Sequence, residues 1–207
     1  MRACDVMSGP VVTVTIVTAV KQAAELLAAN GFTALPVLDD DEKLIGIVTE
    51  ADLVHDRFPR DARYRSAHPD YECATTPRST AVGDVMTSPV TAMGAGTDVV
   101  DLVTVMLDQR IRSIPIVDGH TVVGVVTRRD LLRVLARDDN EIAKDIRHRL
   151  SNYGGSGRWT IAVHDGEAAI TDEYDDATDR HVATVIAEAV PGVTEAHVVS
   201  VPADGTT

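Results

Sequence analysis

The residues best suited to hold a charged ligand stand in two matching phrases, "GIVTEAD" at residues 46–52 and "GVVTRRD" at residues 124–130. In each, an apolar run gives way to a threonine, and an aspartate follows three residues later. At the start of a helix this spacing has a chemical use. The hydroxyl of Thr49 or Thr127 stands beside the first free backbone N–H groups, where the helix dipole favours an anion. Asp52 or Asp130, at the same end of the helix, can accept two hydrogen bonds from the vicinal hydroxyls of a ribose. The same spacing also makes a capping box, in which both side chains only satisfy backbone donors. Charge separates the two copies. Glu50 in the first repels a phosphate, whereas Arg128 and Arg129 in the second offer donors that match phosphate geometry. Arg112, three residues before Pro115, adds another cation to the second copy, and its counterpart in the first is Thr33. The second copy is expected to hold a nucleotide phosphate. The first is expected to be degenerate, or to take a less charged ligand.

The elements that position these residues come from a duplication. A shift of 79 residues lays "DVMSGPVV" (5–12) on "DVMTSPVT" (84–91) and "LPVLD" (35–39) on "IPIVD" (114–118). After a one-residue adjustment, Gly46, Val48, Thr49, Asp52 and Leu53 fall on Gly124, Val126, Thr127, Asp130 and Leu131, giving fourteen identical positions in one order. Each copy predicts a β-branched strand (11–17; 90–93) and then a helix with apolar positions at helical spacing, capped by Thr18 or Thr97. Gly31 suits the end of the first helix. Two strands follow (34–38 with 44–48; 113–117 with 122–126), joined by turns, and the threonine opens a second helix. A β-α-β-β-α unit of about 50 residues cannot bury its own sheet face, so two copies must pack together.

Composition narrows the functions. Thirty-two acidic against nineteen basic residues give a net charge of −13, which repels nucleic acids and anionic membranes. Aromatic content is 3%, so Val, Ile, Leu and Ala must build the core. No run approaches the roughly 20 apolar residues of a membrane-spanning helix. Cys4 and Cys73 make no disulfide framework, and a cytoplasmic location is expected. Cys4, His55, His68 and Cys73 lack the spacing of a zinc set, so no metal is expected. No nucleophile stands with a base and no carboxylate pair has a pocket signature, so the chain is read as a non-enzyme.

The paired "VMSGPVVTV…LPVLD…LIGIVTEADLV" and "VMTSPVTAM…IPIVD…VVGVVTRRDLL" resemble a tandem cystathionine-β-synthase-type (CBS) pair, a Bateman module. The resemblance implies an α+β fold in which two β-α-β-β-α repeats pack as a pseudo-twofold pair with two clefts. It implies an adenine nucleotide (AMP, ADP or ATP) as regulatory ligand, with S-adenosylmethionine or NAD as alternatives. By matching positions it assigns the ligand to Thr127, Asp130, Arg128, Arg129, Arg112, Ile114 and Pro115, and to Thr49, Asp52, Leu35 and Pro36 in the first copy. It also implies a homodimer, for which the helix flanks at Ala24, Leu27, Val103 and Met106 are the expected apolar faces. From residue 138 the chain reads α-β-β-α-β, with a hairpin at Asp165-Gly166 and "AVPGV" before a last strand, and "NYGGSGRW" (152–159) as a flexible connection. That tail is similar to a BON domain, although "ITDEY", with Asp172, replaces the family's usual glycine. BON domains are associated with phospholipid or partner binding. Fourteen acidic and five basic residues, a net −9, favour a protein partner over an anionic lipid. The expected organisation is repeat 1 over 1–57, a linker over 58–80, repeat 2 over 81–137 and the BON-like domain over 138–204. The expected function is a regulatory sensor that relays nucleotide occupancy to its tail or a partner; the alternative is a stress-associated interaction protein without a nucleotide.

Overall fold

The computed structural model describes residues 1–55, 57–58, 79–174 and 176–200. The first repeat contains α1 (Ala3–Val6), β1 (Val14–Thr15), α2 (Val20–Asn30), β2 (Ala34–Leu38), β3 (Leu44–Thr49) and α3 (Glu50–Val54). The second begins with a 3-10 turn at Val82–Asp84 and continues through β4 (Met93–Gly94), α4 (Val99–Asp108), β5 (Ser113–Asp118), β6 (Thr121–Thr127) and α5 (Arg128–Leu135). The tail adds α6 (Asp139–Gly154), β7 (Trp159–His164), β8 (Glu167–Asp172), α7 (Ala177–Glu188) and β9 (Glu195–Ser200). The expected element order is present in all three segments. The strands predicted over 11–17 and 90–93 are shorter, two residues each.

Two compact units form. One comprises Ser8–Ala95 with Val105–Thr127; the other comprises Met1–Met7, Gly96–Thr104 and the chain from Arg128 onward. In the first unit the sheets β1-β2-β3 and β4-β5-β6 share one design. Leu35, Pro36 and Val37 are buried on both faces of β2, as an apolar run without alternation requires. A proline in a central strand forfeits a ladder hydrogen bond. Here β1 reaches only Val37 and Leu38, so Pro36 lies beyond that pairing and loses none; Pro115 lies equally clear of β4. Both hairpins slip at the same place, after Val37 and after Ile116.

Reciprocal bridges join the copies. Ser8 exchanges backbone hydrogen bonds with Val125, at 2.9 and 3.2 Å, and its counterpart Thr87 does the same with Ile47, at 2.9 and 3.0 Å. Each repeat thus adds its leading segment to the other's last strand. The core of this unit runs through Val14, Val20, Leu27, Leu35, Val37, Val48, Leu53 and Val82.

The predicted caps need correction. The N-cap of α2 is Ala19, and Thr18 instead accepts a hydrogen bond from the Thr15 N–H at 3.0 Å, closing the preceding turn. At α4 it is Asp98, not Thr97, whose carboxylate accepts from the Val100 N–H at 2.9 Å. Gly31 does end α2 in the left-handed conformation, φ 64°. Two residues expected at a dimer face are also corrected: Leu27 and Met106 are 5% and 1% exposed and belong to the interior. The apolar positions at Leu27 and Met106 face the interior of the protein.

In the tail, β8 lies between β7 and β9, antiparallel to the first and parallel to the second. Ile142, Ile146 and Leu150 at i, i+4, i+8 of α6 pack with Ile161, Ile170, Ala183 and Ala187. The β7–β8 hairpin turns on Asp165 and Gly166, both at positive φ, as a tight two-residue hairpin needs. The connection expected over 152–159 is partly helical, since α6 extends to Gly154.

Candidate functional site

The first copy of the repeated phrase forms a closed capping box. Thr49 donates from both its N–H and its hydroxyl to Asp52 Oδ2 at 2.8 Å, and the Asp52 N–H returns to Thr49 Oγ1 at 3.4 Å. The first helical N–H, that of Glu50, donates to the Thr33 carbonyl at 3.2 Å. Two of the donors that an anion would use are therefore taken, on a helix of only five residues. Glu50 adds its negative charge at the same end. This copy is built as a cap.

The ends of the strands converge on hydroxyl groups. Register places Thr49 opposite Ala34 and Thr127 opposite Ser113. A hydrogen bond of 3.2 Å between Thr33 Oγ1 and Ser113 Oγ then joins the starts of β2 and β5. Leu35-Pro36 and Ile114-Pro115, all buried, form the apolar floors just inside these ends. Arg112 precedes β5 and is exposed. Sequence reading missed the Thr33–Ser113 link because it crosses 80 residues.

The second copy differs in charge and in helix length. Thr127 ends β6, and Arg128, Arg129 and Asp130 open α5, an eight-residue helix. Asp130 is 7% exposed, and Arg133 lies 3.2 Å from its Oδ1. Arg128 is half-buried and Arg129 exposed. Two arginines replace Glu50-Ala51, so this helix start carries positive charge where α3 carries negative. A buried carboxylate beside exposed forked donors can take both a diol and an oxyanion.

No metal is expected of Cys4, His55, His68 and Cys73, and only the first two lie among the described residues. Cys4 is exposed and free, and His68 and Cys73 lie outside the described residues. Among the described residues, the His, Cys and carboxylate group close enough to share an ion is Asp139, His164 and Asp165 in the tail. Asp139 already anchors the hairpin there, accepting from the Asp165 and Gly166 N–H groups at 2.9 and 3.1 Å. Among the described residues, no helix is long and apolar enough to cross a membrane.

The family model described as CBS domain matches residues 3–57 and again residues 82–137. CBSX1, a chloroplastic CBS domain-containing protein of Arabidopsis thaliana, is 29% identical over 130 residues, 56% of this chain and 55% of that protein. The chain thus spans about half the length of this relative, and 32% and 34% of two further ones. A crystal structure of CBSX2 in complex with AMP is 28% identical with a TM-score of 0.50, over 64% of this chain and 93% of that one. The CBS domain pair of protein MJ0100, in complex with 5'-methylthioadenosine and S-adenosyl-L-methionine, is similar in fold. It is 24% identical with a TM-score of 0.51, over 65% of this chain and 94% of that one.

Proposed function

Because the chain belongs to the CBS domain family, we propose that it is a regulatory protein whose tandem pair binds an adenine nucleotide of the AMP class. The observation that carries this reading is the charge at the two helix starts: Glu50 at one, Arg128 and Arg129 beside buried Asp130 at the other. The AMP complex of CBSX2, 28% identical over 64% of this chain, supports the ligand class. In this reading Asp130 accepts from the ribose hydroxyls. Thr127, Arg128, Arg129 and Arg112 serve the phosphate, and Ile114 and Pro115 the apolar base. The first copy, with Thr49, Asp52, Leu35 and Pro36, takes a weaker or less charged ligand. The α-β-β-α-β tail acts as a BON-like module that contacts a protein partner or relays occupancy.

We also propose a homodimer. Val100, Leu132 and Leu135, each 63–70% exposed on α4 and α5, supply the apolar surface. A sedimentation mass of 22.1 kDa at high micromolar concentration would remove that part. The nucleotide itself is tested by thermal shift of the full chain with AMP, ADP, ATP, NAD and S-adenosylmethionine. A ligand at a hundredfold excess over Kd stabilises by about 2.7 kcal/mol, or roughly 5–10 °C for a protein of this size. A rise with AMP supports the sensor. Unchanged melting with all five supports a second reading, an interaction protein in which T-x-x-D only caps helices, as the Thr49–Asp52 box does.

A further inference from the structure

A cavity of about 350 Å³ lies between the last turns of α6 and the glycine-rich turn before β7, lined by Lys144, Arg147, His148, Ser151, Ser156 and Trp159. Its size suits a small molecule. Lys144, Arg147, His148 and Ser151 recur at i, i+3, i+4 and i+7, so one face of α6 supplies two cations, an imidazole and a hydroxyl. All three basic side chains are exposed, and none makes an ion pair among the described residues. Lys144 and Arg147 stand outside any ion pair among the described residues, in a segment of fourteen acidic and five basic residues. Side chains at Gly155 and Gly157 would meet nothing within 4 Å, so the turn leaves room beside them.

Trp159, 8% exposed, forms a wall of the cavity, with its indole nitrogen packed against Gly154 and closed to solvent. A further hollow of about 510 Å³ shares Lys144 and Arg147 and continues over Asp139, Asn140, Ala143 and Ile161, a mixed polar and apolar surface with room for the rest of a ligand.

We propose that this cavity is a binding site for a small soluble molecule carrying a multiply charged oxyanion, a phosphate ester or pyrophosphate. One carboxylate would leave two of the three basic groups unmatched, whereas a phosphate group accepts from several donors at once. A bilayer fits poorly, because the segment's net charge is −9 and the cations occupy a single concave face. The site is separate from the helix starts of the CBS pair and does not rest on the nucleotide reading.

Trp159 is the chain's single tryptophan and reports on its own wall. The experiment titrates the full chain with inorganic phosphate, with pyrophosphate, and with vesicles of phosphatidylglycerol or phosphatidylcholine, following tryptophan emission. The expected result is a saturable change with pyrophosphate that weakens as salt rises. In the Lys144→Ala, Arg147→Ala double variant the apparent affinity should fall at least tenfold while the urea midpoint stays unchanged, since both side chains are exposed and unpaired. Asp130→Ala should leave this response intact, which separates it from nucleotide binding. No response to either phosphate probe, or the same affinity in the double variant, overturns the site. A response confined to phosphatidylglycerol vesicles overturns it as well, and assigns the basic face to a lipid headgroup.

Discussion

Arg158→Met should destabilise the tail more than any other single change outside its apolar core. Asp172 is 0% exposed and accepts three hydrogen bonds: two from Arg158, at 2.6 and 2.7 Å, and one from the Tyr174 N–H at 3.0 Å. The guanidinium also reaches Asp179 at 2.7 Å and lies over the Trp159 ring at 4.4 Å. Removing it leaves a fully buried carboxylate with a single backbone donor. Breaking a buried pair from one side costs about 3–5 kcal/mol. That is a large part of the roughly 5–15 kcal/mol that holds a domain folded. Asp179 keeps its 2.8 Å bond from the Tyr153 hydroxyl, so the cost falls mainly on Asp172. The assay is urea unfolding of the full chain, read as a midpoint by far-UV circular dichroism and by Trp159 emission. The midpoint is used because losing the cation over the ring alters the folded-state intensity. A double variant, Arg158→Met with Asp172→Leu, should recover most of the loss, because both charges leave together. A loss below about 1 kcal/mol, typical of an exposed pair, would refute the reasoning. So would a double variant no more stable than the single one.

Acid should narrow the gap between wild type and Arg158→Met. The Arg158 hydrogen bonds hold the Asp172 carboxyl below the ordinary carboxylate range, so its stabilisation is complete above the unfolded value of about 3.9 and is lost as pH falls through the lower folded value. In the variant burial favours the protonated acid, and titrations at pH 7 and pH 4 should show the two midpoints converging; parallel midpoints would contradict this. Asp52→Ala should lower stability by about 0.5–2 kcal/mol through loss of the capping box, with less effect on nucleotide affinity than Asp130→Ala, as melting and calorimetry on the same sample would show. Gly46→Ala should cost about 1–3 kcal/mol, because the new methyl would lie 2.7 Å from Met86 Sδ and 3.0 Å from the Thr87 carbonyl, where one repeat is bridged to the other. An unchanged melting temperature would mean that this bridge yields freely.

The repeat, the order of strands and helices, the Gly31 stop and the Asp165-Gly166 turn were legible because each depends on neighbours in sequence: periodicity, a left-handed residue, a two-residue loop. The misplaced parts depend on distant neighbours. Thr18 looks like a cap until Thr15 claims its hydroxyl, and the apolar stripes of α2 and α4 do not say what covers them. Asp172 stood out as a replaced glycine, but its partner was hidden fourteen residues away, brought close by the Trp159–Asp172 strand pairing. In the functional phrase the charge contrast was legible and the hydrogen-bond state was not. The same four-residue spacing caps a five-residue helix behind Glu50 in copy one and stands at the start of a longer, cationic helix in copy two.

Calorimetric titration of the full chain with AMP, beside Asp130→Ala, tests the central claim most directly. Hydrogen bonds to a charged acceptor contribute about 1.5–3 kcal/mol, so losing those to the ribose should weaken binding at least tenfold. Saturable AMP binding to the wild type, reduced by that factor in a variant with a comparable melting temperature, is the predicted result. No heat from AMP with the wild type, or equal affinity in Asp130→Ala, would contradict the account and leave the repeated phrase as a helix cap.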